Sequence, residues 1–255
     1  MGEAMLAAVL DKRLAAPAAI AVSDISAPRR DFLKQQYGVN VTPDNRAVAG
    51  KDVVVLAVKP QNVPEVLAGL KGQIKTSQLV LSIAAGVGIG TISQGLDHAG
   101  VVRAMPNTPA QVGLGMSGWT ASAAVTSAQK EKASAILAAM GAEIYFPDEK
   151  YLDAVTAVSG SGPAYFYLFA ESLIDAAVNI GVPRSDAEQL VRQTMLGAAQ
   201  LLVKSGKSPA DLRRAVTSKG GTTERALTVF EDGGLAGLVA AAVRAAWLRA
   251  QELGK

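Results

Sequence analysis

Apolar stretches alternate with amphipathic stretches through the first 148 residues of the chain. The pattern predicts strands over residues 18–24, 39–41, 52–58, 78–83, 100–105, 116–121 and 142–146, and helices over 2–14, 27–37, 62–70 and 127–140. The strongest strand candidate, Val53–Val58, is apolar throughout, as expected of a parallel strand that is buried on both faces. This order of elements predicts an α/β fold with a doubly wound, Rossmann-type parallel sheet.

After Pro147 the pattern becomes helical only. The helix predicted over 162–180 is apolar on every side, so it should be buried all round. About a hundred residues offer little room to enclose such a helix, and we expect a second subunit to cover it. The chain is therefore predicted to hold a dinucleotide-binding domain over 1–148 and an all-α domain, for dimerisation and substrate binding, over 149–255.

Local signals mark several helix ends in the second part. Ser185 and Glu188 have the spacing of a capping box at a helix start. Ser208 followed by Pro209 predicts the start of a shorter helix. A helix is predicted over 225–231, and the last one over 235–253.

The first helix starts at the beginning of the chain, which is unusual for this fold. A Rossmann domain normally opens with a strand, a G-x-G-x-x-G turn and then a helix. Gly2 stands where the third glycine of that turn would be. The pattern favours a domain whose first strand and first two glycines are missing; the alternative, that the chain simply starts with a helix, stays open.

The composition narrows the chemistry. The 255 residues carry a net charge of +3 without a basic block of the kind that binds nucleic acid. No apolar run reaches membrane-spanning length and no signal-peptide pattern occurs, so we expect a cytoplasmic protein. There is no cysteine and a single histidine, His98, which a turn-like sequence predicts to be solvated. No metal site is predicted, and the demanding chemistry of an enzyme would fall to a bound cofactor.

Candidate cofactor residues follow the predicted strands, because ligands of such sheets bind beyond the carboxyl ends of the strands. Lys59, in Ala57-Val58-Lys59-Pro60, is placed to meet phosphate or ribose oxygens, although a surface lysine remains an alternative. Ser23, together with Ser26, Arg29 and Arg30, favours the phosphate of NADP, and Asp24 favours the ribose of NAD; a simple turn is an equally open alternative. NADPH and NADH therefore both stay open.

Three more positions extend the candidate cofactor site. Asn45 lies in a loop that is placed to reach the adenosine side, or it forms a turn. Ala84 belongs to a stretch of small residues that would let a nicotinamide lie close. Asn107 either contacts the nicotinamide amide or orders its own proline-bounded loop.

The stretch Ser218–Arg225, with the sequence SKGGTTER, directly precedes a helical pattern. A helix start offers unpaired N–H groups and the positive end of the helix dipole. Adjacent glycines allow an anion to approach the backbone closely, and two threonine hydroxyls add donors. The stretch therefore predicts a site for a carboxylate or a phosphate.

Four motifs that occur in one order closely resemble those of the pyrroline-5-carboxylate reductases, and the resemblance covers the chain from Gly2 onward. They are Ala57-Val58-Lys59-Pro60, Met105-Pro106-Asn107-Thr108-Pro109, Val158-Ser159-Gly160-Ser161-Gly162-Pro163-Ala164-Tyr165 and Val216-Thr217-Ser218-Lys219-Gly220-Gly221-Thr222-Thr223. The resemblance implies reduction of the ring imine of 1-pyrroline-5-carboxylate to L-proline by NADPH or NADH. It also implies a homodimer, often assembled as a ring of five dimers.

The resemblance further implies roles for single residues. The substrate carboxylate would sit on the backbone N–H groups of Gly221 and Thr222, in the loop that includes Gly220. Thr223 would be the catalytic residue, as a hydrogen-bond donor or proton relay to the ring nitrogen or the carboxylate. Ser159 would shape the floor of the substrate site, or cap a helix. The competing hypothesis is a non-catalytic, oligomeric ligand-binding homologue whose cofactor site is impaired by the missing strand.

Overall fold

The computed structural model describes residues 1–254. The strands are β1 Ala21–Ser23, β2 Asn40–Thr42, β3 Val53–Leu56, β4 Leu79–Ser82, β5 Val101–Met105, β6 Gly115–Ala121 and β7 Gly141–Tyr145. The helices are α1 Gly2–Asp11, α2 Ala27–Tyr37, α3 Val63–Leu70, α4 Ile89–Leu96, α5 Ser127–Ala138, α6 Tyr151–Val155, α7 Gly162–Asn179, α8 Arg184–Ser205, α9 Pro209–Ala215, α10 Thr222–Asp232 and α11 Leu235–Leu253. The predicted α/β and all-α parts are both present.

The strands form two sheets rather than the single one predicted. β1 and β2 pair in parallel as a two-stranded sheet, and β3 to β7 form a five-stranded sheet in sequence order. The order 3-2-1-4-5-6 is typical of the fold. In that order β1, β2 and β3 take the places of the second, third and fourth strands, and no described strand lies between β1 and β3. β3 is consequently an edge strand.

One strand runs against the predicted parallel direction. β6 pairs antiparallel with β5, whereas β6 and β7 are parallel again. The connection between β5 and β6 holds only a 3₁₀ turn, Thr108–Val112. A parallel return requires a longer crossover, usually a helix, so this short connection reverses the strand.

The five-stranded sheet is covered on both faces, because neighbouring strand residues point to opposite sides. Val54 and Leu56 of β3 belong to a buried cluster with α3 and α4. Leu79 and Leu81 of β4 belong to a second cluster, to which α1 and α5 contribute. A third cluster joins α1 and α2 to the smaller sheet and contains Leu6, Leu33 and Val39. The predicted doubly wound arrangement is confirmed.

The chain folds into two compact units. The first comprises Met1–Ser161 and the chain from Ala245 onward, and the second comprises Gly162–Arg244. These units divide the chain after residue 161 rather than after residue 148, where the helical pattern begins. The difference arises because Leu152 of α6 is fully buried with the first unit's residues.

The helix-end predictions have mixed outcomes. The Ser208 side chain caps α9, accepting from the Asp211 N–H. The predicted capping box at Ser185 is wrong: α8 begins at Arg184, and the Pro183 carbonyl already accepts from the backbone of Asp186. A proline fits directly before a helix because its φ is fixed near helical values.

The prediction of a solvated His98 is also wrong. His98 is only 5 % exposed, and one ring nitrogen lies 3.2 Å from the carbonyl oxygen of Gly100. A side chain at Gly100 would approach the ring, since a Cβ built there lies 3.1 Å from Nε2. The turn-like sequence thus folds the imidazole inward against a glycine.

The second unit consists of helices whose apolar side chains are widely exposed in a single chain. Phe166, Tyr167 and Leu168 of α7 are each more than 60 % exposed. Phe169 packs against Phe230 of α10, with ring centroids 6.1 Å apart. One chain alone therefore leaves much of α7 in solvent. This agrees with the prediction that about a hundred residues are too few to enclose such a helix.

Candidate functional site

The glycine loop before α10 is folded by its own backbone. Gly220 has a φ of +72°, a conformation that favours glycine, and its N–H donates to Oε2 of Glu224 at 2.6 Å. The Gly221 N–H donates to the carbonyl of Ser218 at 3.0 Å. A Cβ at Gly221 would lie 2.5 Å from Oγ of Ser218, so a larger residue there would displace that hydroxyl, whereas at Gly220 it is the backbone conformation that favours glycine.

The free donors of this loop are therefore Thr222 and Thr223. They are the first two residues of α10, whose N-cap is Gly221 and has no side chain to offer. The first N–H groups of a helix lack partners within it, and among residues 1–254 neither threonine N–H has an acceptor outside the helix. Gly221 was expected to hold a carboxylate, but its N–H is already donated to Ser218; the N–H groups without such an acceptor are those of Thr222 and Thr223.

The side chain of Thr223 is half-buried, and within the described part of the chain its hydroxyl has no hydrogen-bond partner. Thr228 of the same helix differs, since its hydroxyl donates to the carbonyl of Glu224 at 3.0 Å. Thr223 thus carries a hydroxyl that is placed beside two unpaired backbone N–H groups. The arrangement fits a small carboxylate that also accepts from, or lies next to, a hydroxyl donor.

In the first unit, the start of α1 lies against the end of β3. A Cβ at Gly2 would stand 3.1 Å from Cβ of Ala57, so a larger residue would push the helix start away from the strand. The N-cap of α1 has no side-chain hydrogen bond. Beside the carboxyl end of β3, the start of α1 therefore offers N–H groups that lack partners within the helix, of the kind that bind phosphate.

The residues that follow Ala57 in the chain differ in exposure. Val58 packs against the first cluster, whereas Lys59 and Pro60 are exposed at a 3₁₀ turn, Pro60–Asn62. Among the described residues, Lys59 forms no ion pair. Its charge is therefore available to an anionic group.

The ends of β1 and β2 carry the other nucleotide candidates. Ser23 ends β1, and its Oγ is buried without a hydrogen-bond partner in the part of the chain that the structure describes. Asp24 accepts from the N–H of Ser26 at 2.8 Å, which engages one of its carboxylate oxygens. Asn45 begins a 3₁₀ turn and is half-buried. An unpaired buried hydroxyl is uncommon, and a polar ligand group at this end of the sheet would satisfy it.

Glu3, Arg29 and Tyr37 form a hydrogen-bonded cluster that stabilises the first turn of α1. Glu3 accepts a hydrogen bond from Arg29 of α2 and another from the hydroxyl of Tyr37, the latter at 2.8 Å. The bond from Arg29, followed by that from Tyr37, lowers the pKa of Glu3. The bond to Glu3 raises the pKa of Tyr37. Glu3 therefore stays ionised and ties α1 to α2 just behind Gly2.

Asn107 and Ser159, predicted separately as site residues, are brought together. The Asn107 Nδ2 donates to the carbonyl and to the Oγ of Ser159, each at 3.2 Å, and Oδ1 accepts from the Met116 N–H at 2.8 Å. Ser159 lies in a π-helical turn, Thr156–Gly160, a feature frequent at functional sites. Of the two alternatives for Asn107, ordering of the loop is the one that these bonds support.

Two residues that were not predicted from the sequence, Arg103 and Glu149, link β5 to the start of α4, the helix that follows β4. Ala84, the candidate nicotinamide contact, is buried after β4. Glu149 accepts both from Arg103 of β5 and from the N–H of Ile89 at the start of α4. Neither belongs to a recognisable motif; an arginine at an otherwise apolar strand position was the only signal.

Within residues 1–254 the structure offers neither a metal-binding cluster nor a single membrane-spanning helix. No group of three or more histidine, cysteine or acidic side chains is placed to hold a metal ion there. No single helix of these residues is long and apolar enough to span a membrane; α10 and α11 reach that length and composition only as a bent pair.

Two family models match the chain. Residues 149–253 match a model described as pyrroline-5-carboxylate reductase dimerisation, and its start coincides with the predicted boundary after residue 148. Residues 1–86 match a model described as NADP oxidoreductase, coenzyme F420-dependent. The first model covers the helical part and the second covers the start of the Rossmann part.

Whole-length relatives are similar over both parts. The pyrroline-5-carboxylate reductase of Synechocystis is 45% identical over all of this chain and 95% of its own length. The structure of a pyrroline-5-carboxylate reductase from Coxiella burnetii is 40% identical, with a TM-score of 0.93, and covers 100% of this chain and 95% of that one. The pyrroline carboxylate reductase of Plasmodium falciparum, solved with NADP bound, is 31% identical with a TM-score of 0.88, over 100% and 95%.

Proposed function

The chain belongs to the pyrroline-5-carboxylate reductase family, and from this premise we propose which of its residues carry the reaction. The activity is the NAD(P)H-dependent reduction of 1-pyrroline-5-carboxylate to L-proline. The start of α10 carries the proposal, because Thr222 and Thr223 combine unpaired N–H groups with a free hydroxyl among the described residues.

The substrate is bound through its carboxylate. Thr222 and Thr223 donate their backbone N–H groups to it, and the positive end of the α10 dipole adds to the attraction. Gly220 and Gly221 hold the loop in the shape that exposes these donors. Lys219 and Arg225 flank the loop, and their two positive charges exceed the one negative charge of Glu224, so the local charge also favours an anion.

Protonation of the ring nitrogen completes the reduction. When it is bound, NAD(P)H supplies the hydride that adds to the imine carbon. The nitrogen takes one proton as its double bond to carbon becomes single, which gives the ring amine and NAD(P)⁺. A threonine hydroxyl is a weak acid, so Thr223 acts by donating a hydrogen bond to the nitrogen or carboxylate and by relaying a proton. Orientation and fixed dipoles provide the rest of the acceleration.

The cofactor is bound by the first unit. The unpaired helix start at Gly2, the buried Oγ of Ser23 and the free charge of Lys59 fit its phosphates and ribose. Ala57, Val58, Pro60 and Asn45 line the nucleotide, and Ala84 contacts the nicotinamide. Asn107 and Ser159 act as a pair that shapes the floor of the site. NADPH and NADH are both accepted in this proposal.

The test is turnover. Purified protein should oxidise NADPH when 1-pyrroline-5-carboxylate is added, and Thr223→Ala should lower kcat by about a hundredfold, the usual effect of removing a transition-state donor. Thr223→Ser should retain most of the rate, because it keeps the hydroxyl. Thr228→Ala is the matched control, since that hydroxyl is bonded within its own helix. Wild-type rate in Thr223→Ala would refute the role of Thr223.

The alternative of a non-catalytic ligand-binding homologue has no observation in its favour. It predicts a folded, oligomeric protein without turnover and with weak cofactor binding. Calorimetric titration with NADPH separates the two hypotheses, because tight binding together with turnover excludes the alternative.

Assembly and location complete the proposal. The protein is a homo-oligomer, as the dimerisation model and the exposed side chains of α7 support. We propose that dimers assemble further into a ring of five; sedimentation would reveal a decamer or stop at the dimer. The division into domains at 148/149, a cytoplasmic location and the lack of nucleic-acid or membrane partners are further parts of the proposal, and cell fractionation tests the location.

A further inference from the structure

Arg103 is a charged residue on a strand whose other residues are apolar. It lies on β5 and is only 8 % exposed. Its Nη1 is 2.7 Å from Oε1 of Glu149, and its Nη2 is 3.9 Å from Oδ1 of Asp153. The acids are less enclosed, with 34 % of the Glu149 side chain and 22 % of the Asp153 side chain exposed, and a partly buried ion pair is weak evidence for stability alone. The geometry around it indicates what else it does.

Glu149 links this arginine to the start of α4. The same Oε1 that meets Arg103 accepts from the N–H of Ile89 at 2.9 Å. The N-cap of α4 is Gly88, which has no side chain to satisfy that donor. A Cβ on Gly88 would lie 3.5 Å from the same oxygen. Glu149 thus supplies, from a distant part of the chain, the cap that α4 lacks, and Arg103 holds it there.

The loop between β4 and α4 is held at its other points as well. Ser82 at the end of β4 is opposite Arg103 in the sheet, and its Oγ accepts from the Ala84 N–H at 3.3 Å. In the middle of the loop, a Cβ on Gly86 would lie 2.8 Å from the backbone oxygen of Leu253. Residues 83–88 are therefore fixed at the start, in the middle and, through Glu149, at the end.

We infer that Arg103 and Glu149 are positioning residues for the cofactor: they fix the loop 83–88, and with it Ala84, at the place where the nicotinamide binds. This inference rests on the proposed role of Ala84. It predicts that a change at this pair, which need not itself touch the cofactor, weakens NADPH binding more than it affects the substrate.

The experiment compares Glu149→Ala, Glu149→Gln and Arg103→Lys. Glu149→Ala removes the acceptor of the Ile89 N–H and should raise the Kd for NADPH about tenfold, which corresponds to a typical contact-sized change in binding free energy. Glu149→Gln keeps an oxygen that can accept from that N–H, so its increase in the Kd for NADPH should be about half as large on a logarithmic scale. Arg103→Lys keeps the charge but not the fork that reaches both acids, and should resemble Glu149→Gln.

Two further readouts separate positioning from general stability. Hydrogen exchange of the amides from 84 to 92 should accelerate in Glu149→Ala while exchange in α8 stays as in the wild type. With NADPH saturating, the KM for 1-pyrroline-5-carboxylate should stay within about twofold of the wild type. Arg249→Lys is the matched control, because its 2.7 Å pair with Glu252 lies in the same unit but is exposed; it should leave every value unchanged.

The outcomes are distinguishable. The inference is overturned if Glu149→Ala folds and its Kd for NADPH is unchanged. If the alanine variant does not fold, an unchanged Kd in both Glu149→Gln and Arg103→Lys overturns it instead. Equal losses for NADPH and the imine would also overturn it, because they would indicate a general disturbance. Absence of turnover in the wild type would instead refute the proposed function, and calorimetry with NADPH would still test the loop.

Discussion

Substitution of Asn107 tests how the loop after β5 is held. Asn107→Ala removes two donations to Ser159 and the acceptance from the Met116 N–H. A hydrogen bond contributes about 1 kcal/mol net, and an N–H left unsatisfied adds a further cost. Because the site is only half-buried, we expect a loss of about 2–3 kcal/mol in the free energy of unfolding. Ser159→Ala removes one bond only and should cost about 1 kcal/mol.

The assay is denaturant unfolding at one fixed protein concentration, since the stability of an oligomer depends on concentration. The double variant should show a coupling energy of about 0.5–1 kcal/mol between the two side chains. Asn107→Asp is an informative third variant: it keeps the acceptor for Met116 but turns a donor into an oxygen that faces the two oxygens of Ser159. A cost of less than about 0.5 kcal/mol for Asn107→Ala, or no coupling to Ser159, would refute this account of the loop.

Two other predictions concern stability. Glu3 has a lowered pKa, so its contribution to the free energy of unfolding is present above the pKa that it has in the unfolded chain and is lost as pH falls through its pKa in the folded protein. Tyr37 has a raised pKa, so its contribution to the free energy of unfolding is lost as pH rises through its pKa in the folded protein. The melting temperature of Glu3→Gln should therefore be lower than that of the wild type between about pH 5 and pH 9, and the two should converge in acid. A difference in melting temperature that stays the same at all pH values would contradict this. Gly141→Ala should cost about 3–5 kcal/mol or prevent folding, because Gly141 has a φ of +142° and a Cβ there would lie 2.1 Å from the backbone oxygen of Gly115. Gly69→Ala, where a Cβ meets nothing within 4 Å, is its control and should be neutral or slightly stabilising; similar melting of the two variants would contradict the steric argument.

Periodicity and local signals were sufficient for most elements. The helices predicted at 27–37 and 235–253 have the bounds seen in the structure, because proline, glycine and a serine cap mark the first and a continuous apolar face marks the second. The direction of β6 was not predictable from periodicity, since a strand looks the same in either orientation. The length of the connection before it carried that information.

The candidate site was predictable where chemistry lies in one short segment. The glycine and threonine loop was found because it directly precedes a helix. Which N–H groups remain free could not be predicted, because Gly220 and Gly221 are engaged by Glu224 and Ser218 through the fold of the loop. Pairs that are distant in sequence, such as Asn107 with Ser159, became apparent only in three dimensions. His98 was placed wrongly for the same reason, as its burial depends on packing against Gly100.

The edge position of β3 has a consequence for how the protein behaves in concentrated solution. Only β4 pairs with this strand among the described residues, and the segment Val53–Val58 is uncharged, free of proline and, apart from Leu56 and Ala57, β-branched. Val55 is 38 % exposed. Such a segment, with one row of backbone groups unpaired, is a template for intermolecular strand pairing and fibre formation. The unpaired side of β3 is thus a place where a second molecule can add a strand when nothing covers it.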